Sequence, residues 1–301
     1  MMDSYQVLLF YSYHTIPDPV QHHSWHQQLC ERLHLHGRIR IAGEGVNGTV
    51  SGSVPHLQTY MASIDHTGLF PHIQWKVSDS PSGHAFATLR VDLRPNIVNI
   101  GAAISLRPGQ HLSPHDFHQA LLAQDSVVID CRNVYEWKIG RFPGAIRPPG
   151  RQFSDFPAQI DDLIAQGVVR PGHRVLMYCT GGIRCEMGSS YLRACGIEDV
   201  AQLHGGIHEY LNTFSDGGLF RGKNFVFDER IALSSGSSEI VGRCDACDIE
   251  FDDYSRRRRC RHCRILLLIC DRCAESNPDS FDCGSCLLRQ SSSTPALISS
   301  S

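Results

Sequence analysis

The run Cys179-Thr180-Gly181-Gly182-Ile183-Arg184-Cys185-Glu186 constrains this chain more than any other stretch. It follows an apolar, strand-like segment at 175–178 and precedes a helix-like one at 187–192. A cysteine at a strand end, a glycine-bearing loop, an arginine and then a helix define a βα unit. Its loop amides converge on one point, and the helix N-terminus adds partial positive charge there. Arg184 completes an electropositive cradle in which the Cys179 thiol ionises below the range of a free cysteine.

The flanking sequence supports such a unit. Residues 126–129, 174–178 and 200–203 read as short strands separated by helical stretches. This is the pattern of an α/β domain with a parallel sheet, with its chemistry at the strand C-terminal ends. Asp130, Arg132 and Glu136 follow the first of these strands. They read as a supporting ion-pair network that pins the loop facing the cysteine, with Arg132 alternatively turned toward an anionic substrate. Cys185 either resolves an oxidised Cys179 or packs within the helix. Cys131 and Cys195 read as plain core or surface thiols.

The N-terminal part has a different grammar. Strands are predicted at 6–13, 38–42, 49–51, 72–77 and 85–91, and helices at 18–35 and 57–64, with Val20, Trp25, Leu29 and Leu33 on one helical face. The order βαββαβ indicates a ferredoxin-like, antiparallel α+β domain. Glu44-Gly45-Val46-Asn47-Gly48-Thr49 reads as a hairpin turn, either structural or bringing Asn47 to a ligand. His14, His22, His23, His26, His34 and His36 read as polar-face residues, although His22 and His26 have i,i+4 spacing.

A Ser/Gly stretch at 234–238 reads as a linker. Beyond it are four CxxC pairs: Cys244/Cys247, Cys260/Cys263, Cys270/Cys273 and Cys283/Cys286. Two pairs make one tetrahedral Cys₄ site, so the module is expected to hold two zinc ions, paired either sequentially or interleaved. His262 lies between ligands and is an alternative donor. The net charge of −3 conceals a run at 256–264 with six arginines in nine residues. Arg256, Arg257, Arg258 and Arg259 read either as a solvated charged loop or, fixed in place by metal-driven folding, as candidate RNA phosphate contacts. No internal repeat is evident, and the serine-rich end reads as disordered. The expected organisation is 1–108, 109–230, 231–289 and a tail at 290–301. The start carries no signal-peptide pattern, no stretch is long and apolar enough for a membrane span, and thiolate usage favours a reducing cytoplasmic setting.

Four residues, Thr180, Gly181, Gly182 and Ile183, separate Cys179 from Arg184. Tyrosine-phosphatase-type loops place five there, and the shorter loop resembles that of a rhodanese. The combination of EGVNGT, DCRNVYEWKIGRFPGAI at 130–146, CTGGIRCE, LHGGIHEYL and GKNFVFDERIA resembles the rhodanese-like, oxygen-dependent tRNA uridine(34) hydroxylases. The likeness runs from about residue 5 to 286. It implies an N-terminal ferredoxin-like (acylphosphatase-like) domain, a rhodanese domain and a cysteine-rich end. It also implies 5-hydroxylation of the wobble uridine with molecular oxygen as cosubstrate, the tRNA anticodon arm as partner, and Cys179 and Arg184 in the catalytic positions. Set beside such a nucleic-acid-modifying domain, the arginine run leans toward the RNA-contact reading. Two departures bear on RNA contacts: Met187 stands where the family usually has lysine, and His204 where members often carry lysine. Cys179 is expected to be an exposed nucleophile that adds to C6 of the base. The alternatives are a thiosulfate or persulfide sulfurtransferase and a non-catalytic, zinc-dependent RNA-binding adaptor.

Overall fold

The computed structural model describes residues 4–147, 150–236, 239–277 and 281–291. The first part comprises β1 (Tyr5–Tyr13), α1 (Pro19–Arg32), β2 (His36–Ala42), β3 (Gly45–Ser53), α2 (Val54–His66), β4 (Gln74–Asp79) and β5 (Leu89–Leu93). The sheet order is β4-β1-β3-β2-β5, antiparallel except for the β2–β5 edge. The first four strands have the ferredoxin-like, acylphosphatase-like order, and β5 extends it. Helix α1 begins where the Asp18 carboxylate accepts the Gln21 N–H at 2.9 Å, with Pro19 in its first turn. Alternation along β1 divides its duties. Leu8 and Phe10 join the core under the helices with Leu29, Tyr60 and Ile64, while Leu9 and Tyr11 face the second domain.

Two expectations for this part are corrected. Val20 is 62% exposed, and His22 and His26 occupy the buried face of α1 instead. The two imidazoles satisfy each other at 3.1 Å, and His26 Nε2 meets the Tyr60 hydroxyl at 2.7 Å. Paired this way, they behave as core aromatics. In EGVNGT only Glu44 belongs to the turn, and Gly45 onward is strand β3. Glu44 accepts the Ile97 N–H at 2.8 Å and Asn47 donates to the Ile97 carbonyl at 3.4 Å, so the segment anchors the following chain.

The second part contains β6 (Gln110–Leu112), α3 (Pro114–Ala123), β7 (Ser126–Asp130), α4 (Val134–Ile139), β8 (Gly140–Arg141), α5 (Phe156–Ala165), β9 (Arg174–Tyr178), α6 (Ile183–Ala194), β10 (Val200–Leu203) and α7 (Gly206–Thr213). Its parallel sheet runs β6-β10-β9-β7. Val175 and Met177 pack with Phe156, Ile160 and Leu192 on one face, and Leu176 and Tyr178 with Phe117, Ile207 and Tyr210 on the other. Both faces are covered by helices, as a parallel sheet requires.

The last part begins with β11 (Arg221–Phe225), which pairs with β8 and with β12 (Ala232–Ser234). The segment read as a linker therefore starts inside a strand, and Ser235 is buried against it. Helices α8 (Asp271–Ser276) and α9 (Gly284–Ser291) follow, and the tail beyond 291 lies outside the described residues. Ile139, Phe225, Tyr254, Leu266 and Leu268 form a shared core that docks the cysteine-rich module on α4 and β11. Ion pairs Lys138–Asp245 and Lys223–Asp252 flank it. No helix among the described residues is long and apolar enough to cross a membrane.

Candidate active site

Cys179 follows β9 directly, and the loop of Thr180, Gly181 and Gly182 leads into α6. Gly182 has φ of +102°, a conformation that suits glycine and turns its N–H onto Cys179 Sγ at 3.1 Å. Below the loop, Gly206 has φ of +68°, and a Cβ there would fall 2.6 Å from the Cys179 carbonyl oxygen. This close approach lets the Ile207 and His208 N–H groups at the start of α7 donate to the Cys179 and Thr180 carbonyls, at 2.9 and 3.1 Å. The loop is thus held from both ends by backbone.

Two buried ion pairs stand behind it. Arg184 donates from Nη1 and Nη2 to the two oxygens of Glu136, both at 2.7 Å, and from Nη2 to Thr180 Oγ1 at 3.2 Å. Thr180 in turn donates to Glu136 at 3.0 Å. Glu136 also accepts the Asn133 N–H, closing a capping box on α4. Arg132 makes a bidentate pair with Asp130 and donates to the Gly140 carbonyl. Its side chain is fully buried, so it braces the strand end and does not face a substrate. Burial pushes the Cys179 thiol up, but it is outweighed by the Cys185 hydrogen bond, the Arg184 charge and the N–H groups of Arg184 and Gly182. The thiol comes down to about 6. The thiolate ultraviolet absorbance, taken as wild type minus Cys179→Ser, should therefore rise with a midpoint about pH 6; a midpoint in the ordinary thiol range would refute the cradle.

The thiol is enclosed, at 0% exposure, which corrects the expectation of an open nucleophile. Its cover comes from the first domain. Leu9 Cδ2 sits against Gly181 and the Tyr11 hydroxyl against Gly182, at 2.7 and 2.9 Å from where a Cβ would be. Tyr11 donates to Glu186 at 2.9 Å, and Glu186 also meets His111 Nε2 at 2.8 Å. That second bond raises the His111 pKa. Lys76 of β4 is buried with its Nζ 4.8 Å over the Tyr11 ring. Burial lowers its pKa to about 8, against the opposing charges of Cys179, Glu209 and Glu186. Between about pH 6 and about pH 8 the enclosure thus holds a thiolate and an ammonium together.

Residues 5–97 match the UPF0176 acylphosphatase-like domain, 113–213 the rhodanese-like domain and 221–287 the rhodanese C-terminal family. The chain is 41% identical over 249 residues to the tRNA uridine(34) hydroxylase of Listeria monocytogenes, covering 80% of this chain and 77% of that protein. The tRNA uridine(34) hydroxylase of Bacillus cereus is 42% identical over 246 residues, covering 79% and 76%. This chain belongs to the tRNA uridine(34) hydroxylase family. Rhodanese-like domain-containing protein 6 of Arabidopsis thaliana is 38% identical over 311 residues, which cover 94% of this chain. The chain spans about half the length of that plant relative, 53%. Of the two departures from the family pattern, Met187 is buried in the core beside Cys185, and His204 lies near His111 and Lys76. Arg193 is held by the Pro108 carbonyl and Glu198.

The cysteines of the module form two interleaved clusters, Cys244/Cys247/Cys270/Cys273 and Cys260/Cys263/Cys283/Cys286, each able to hold a metal ion. Cys247 and Cys270 Sγ lie 3.6 Å apart, as do Cys263 and Cys283. A tetrahedron with metal–sulfur bonds of about 2.3 Å has edges of about 3.8 Å, so the sets fit zinc. The Cys270 and Cys283 N–H groups donate to Cys244 and Cys260 Sγ, at 3.3 and 3.4 Å. A structural repeat, missed in the sequence, underlies this. In both knuckles the first cysteine N–H donates two residues past the second, to Ile249 and Ile265. Asp248 and Arg264, directly after the second cysteine, both have positive φ. His262 pairs with Asp282 and belongs to neither cluster.

The arginine run splits. Arg256 is paired with Asp271 and Glu275, facing α8. Arg257 and Arg259 line a cavity of about 450 Å³ with Arg264, Arg151 and Phe227. Tyr11, Lys76, His111 and Phe227 escaped sequence reasoning because nothing in their local pattern sets them apart from ordinary strand or loop residues.

Proposed function

We propose that this chain hydroxylates C5 of the wobble uridine of tRNA, with Cys179 as nucleophile and Arg184 and the loop amides as its electrostatic support. The observation that carries the reading is the intact cradle, a thiol at about 6 beneath a covering domain, in a chain whose relatives bear this activity in their names. The thiolate adds to C6 of uracil, forming an S–C6 bond and making C5 electron-rich. Molecular oxygen reacts at C5. The balance is C5–H, O₂, two electrons and two protons from a dithiol reductant, giving C5–OH and water. Loss of the C5 proton then expels the thiolate. Because Cys179 is enclosed, uracil reaches it only after Leu9 and Tyr11 are displaced.

Each cysteine cluster holds a structural zinc ion in this reading, through the eight named thiolates. Keeping them reduced suits a cytoplasmic setting. The arginine-bearing knuckle supplies phosphate contacts to the anticodon arm.

Mass spectrometry of wobble nucleosides, in cells lacking the protein and complemented with wild type or Cys179→Ser, tests the function. Restoration of 5-hydroxyuridine derivatives by wild type alone is expected. A fall in thiolated nucleosides with hydroxylation unchanged would instead establish sulfur transfer, and no change in either would leave an RNA-binding adaptor. Failure of 5-fluorouridine RNA to form a Cys179 adduct would exclude the C6 route.

A further inference from the structure

The turn that follows β11, residues 226–231, joins all three parts of the molecule. The Val226 N–H donates to the Ile231 carbonyl at 2.8 Å, and Asp228 forms a bidentate pair with Arg230. Arg230 reaches Ser78 at 2.8 Å and the Glu229 N–H donates to the Ala85 carbonyl at 2.8 Å, which bolts the turn to the first domain. Arg257 of the cysteine-rich module donates to the Asp228 carbonyl at 3.5 Å.

On this well-held turn Phe227 is 56% exposed. Its ring is braced edge-on against Phe225, with centroids 5.4 Å apart at 77°, and the Arg184 guanidinium lies 5.8 Å from its centroid. An aromatic ring is therefore presented rigidly to solvent beside the arginine of the catalytic loop. Next to it opens the cavity of about 450 Å³, within the range of small-molecule sites. Four of its lining residues are Arg151, Arg257, Arg259 and Arg264. Among the described residues none of these four has a carboxylate partner. Arg256 and Arg261 from the same run are paired with Asp271 and Asp282, at 2.7 and 2.6 Å. The run is thus sorted by direction: Arg256 and Arg261 hold the module together through carboxylates, whereas Arg257, Arg259 and Arg264 face the cavity, where Arg259 donates to the Arg264 carbonyl at 2.9 Å and Arg151 to Cys286 Sγ at 3.9 Å. Clustered guanidinium groups with no carboxylate to neutralise them call for a polyanion, and a fixed exposed ring calls for a planar, stackable one.

We propose that Phe227 and this arginine-lined cavity bind single-stranded RNA next to the target uridine, with Phe227 stacking on a base and the arginines contacting the flanking phosphates. This rests on the tRNA reading above and adds to it the site that grips the loop.

The test is fluorescence anisotropy with a labelled anticodon stem-loop RNA and full-length, metal-loaded protein, repeated over a salt series. Phe227→Ala should weaken binding by about tenfold and Phe227→Trp should restore it. Arg264→Glu should weaken it by about tenfold and flatten the salt dependence, while Arg256→Glu stays within twofold of wild type. Thermal melting and metal content show whether each variant is folded. Binding by Phe227→Ala within twofold of wild type would overturn the site, as would equal losses in Arg256→Glu and Arg264→Glu. If those results appear while wild type still binds RNA and restores 5-hydroxyuridine, only the cavity falls. If wild type does neither, the tRNA reading falls with it.

Discussion

Glu136→Ala should destabilise the rhodanese domain by ~3–5 kcal/mol and shift the Cys179 thiol midpoint, because Arg184 loses its fixed partner. Removing one partner of a buried pair leaves the other charge uncompensated, and that is where the cost arises. Arg184 is almost wholly buried, and both of its charged bonds go to this carboxylate. Thr180 and the Asn133 N–H lose the same acceptor, so the loop and the start of α4 loosen together. Glu136→Gln keeps the shape and should lose less stability. Burial raises the Glu136 carboxyl, but Arg184 more than offsets it, and the folded value lies below the ordinary 4.5. The pair's contribution is therefore complete above that pH and is lost as acid carries the pH down through the folded value. Urea denaturation at neutral pH and at pH 4, with the thiolate titration above, measures both effects. A loss under about 1 kcal/mol, with the thiol midpoint unmoved, would show that Arg184 is held by something else.

Removing metal should be the more disruptive change, although confined to the last part of the chain. A structural zinc ion contributes on the order of 10 kcal/mol to the folding of a small module. The hydrophobic contacts of this one are few, a second cluster of Leu267, Ile269 and Ala274 beside the cysteines. Chelation should release two equivalents per chain and expose the backbone of 243–277 and 281–286 to hydrogen exchange, leaving the five-stranded and four-stranded sheets protected. The interleaved arrangement adds a sharper expectation. Cys247→Ser should lose its own ion and also weaken the other site by ~10- to 100-fold, because the Cys260/Cys263 knuckle lies between Cys247 and Cys270. Full retention of the second ion at unchanged affinity would mean the two clusters fold independently.

What the sequence revealed was local. The cradle is made of residues within six positions of one another, and a βα unit has few ways to arrange them. The CxxC pairs are likewise self-announcing, since a knuckle closes over two intervening residues. Their grouping was not legible, because any two pairs satisfy one tetrahedron and only the path between them decides. The enclosure of Cys179 was equally invisible. Its lid depends on Tyr11 meeting Glu186 across 175 residues, and Lys76 sits in a strand that alternates like any other. His22 and His26 were misread because hydropathy scores imidazole as polar, whereas two rings that satisfy each other are buried without penalty. Arg132 shows the reverse, a charged residue whose fixed partner two positions away makes it part of the core.

Interleaving also dictates when the module becomes a folded object as the chain leaves the ribosome. With sequential pairing, the first ion could be captured once Cys263 had emerged. Here the first complete set waits for Cys273 and the second for Cys286. Until Cys273 emerges, the cysteines before it and the arginine run travel as a loose, oxidisable strand, tethered to a rhodanese domain that already has its own core. Metal supply at that moment, more than the intrinsic speed of folding, would set the yield of competent protein.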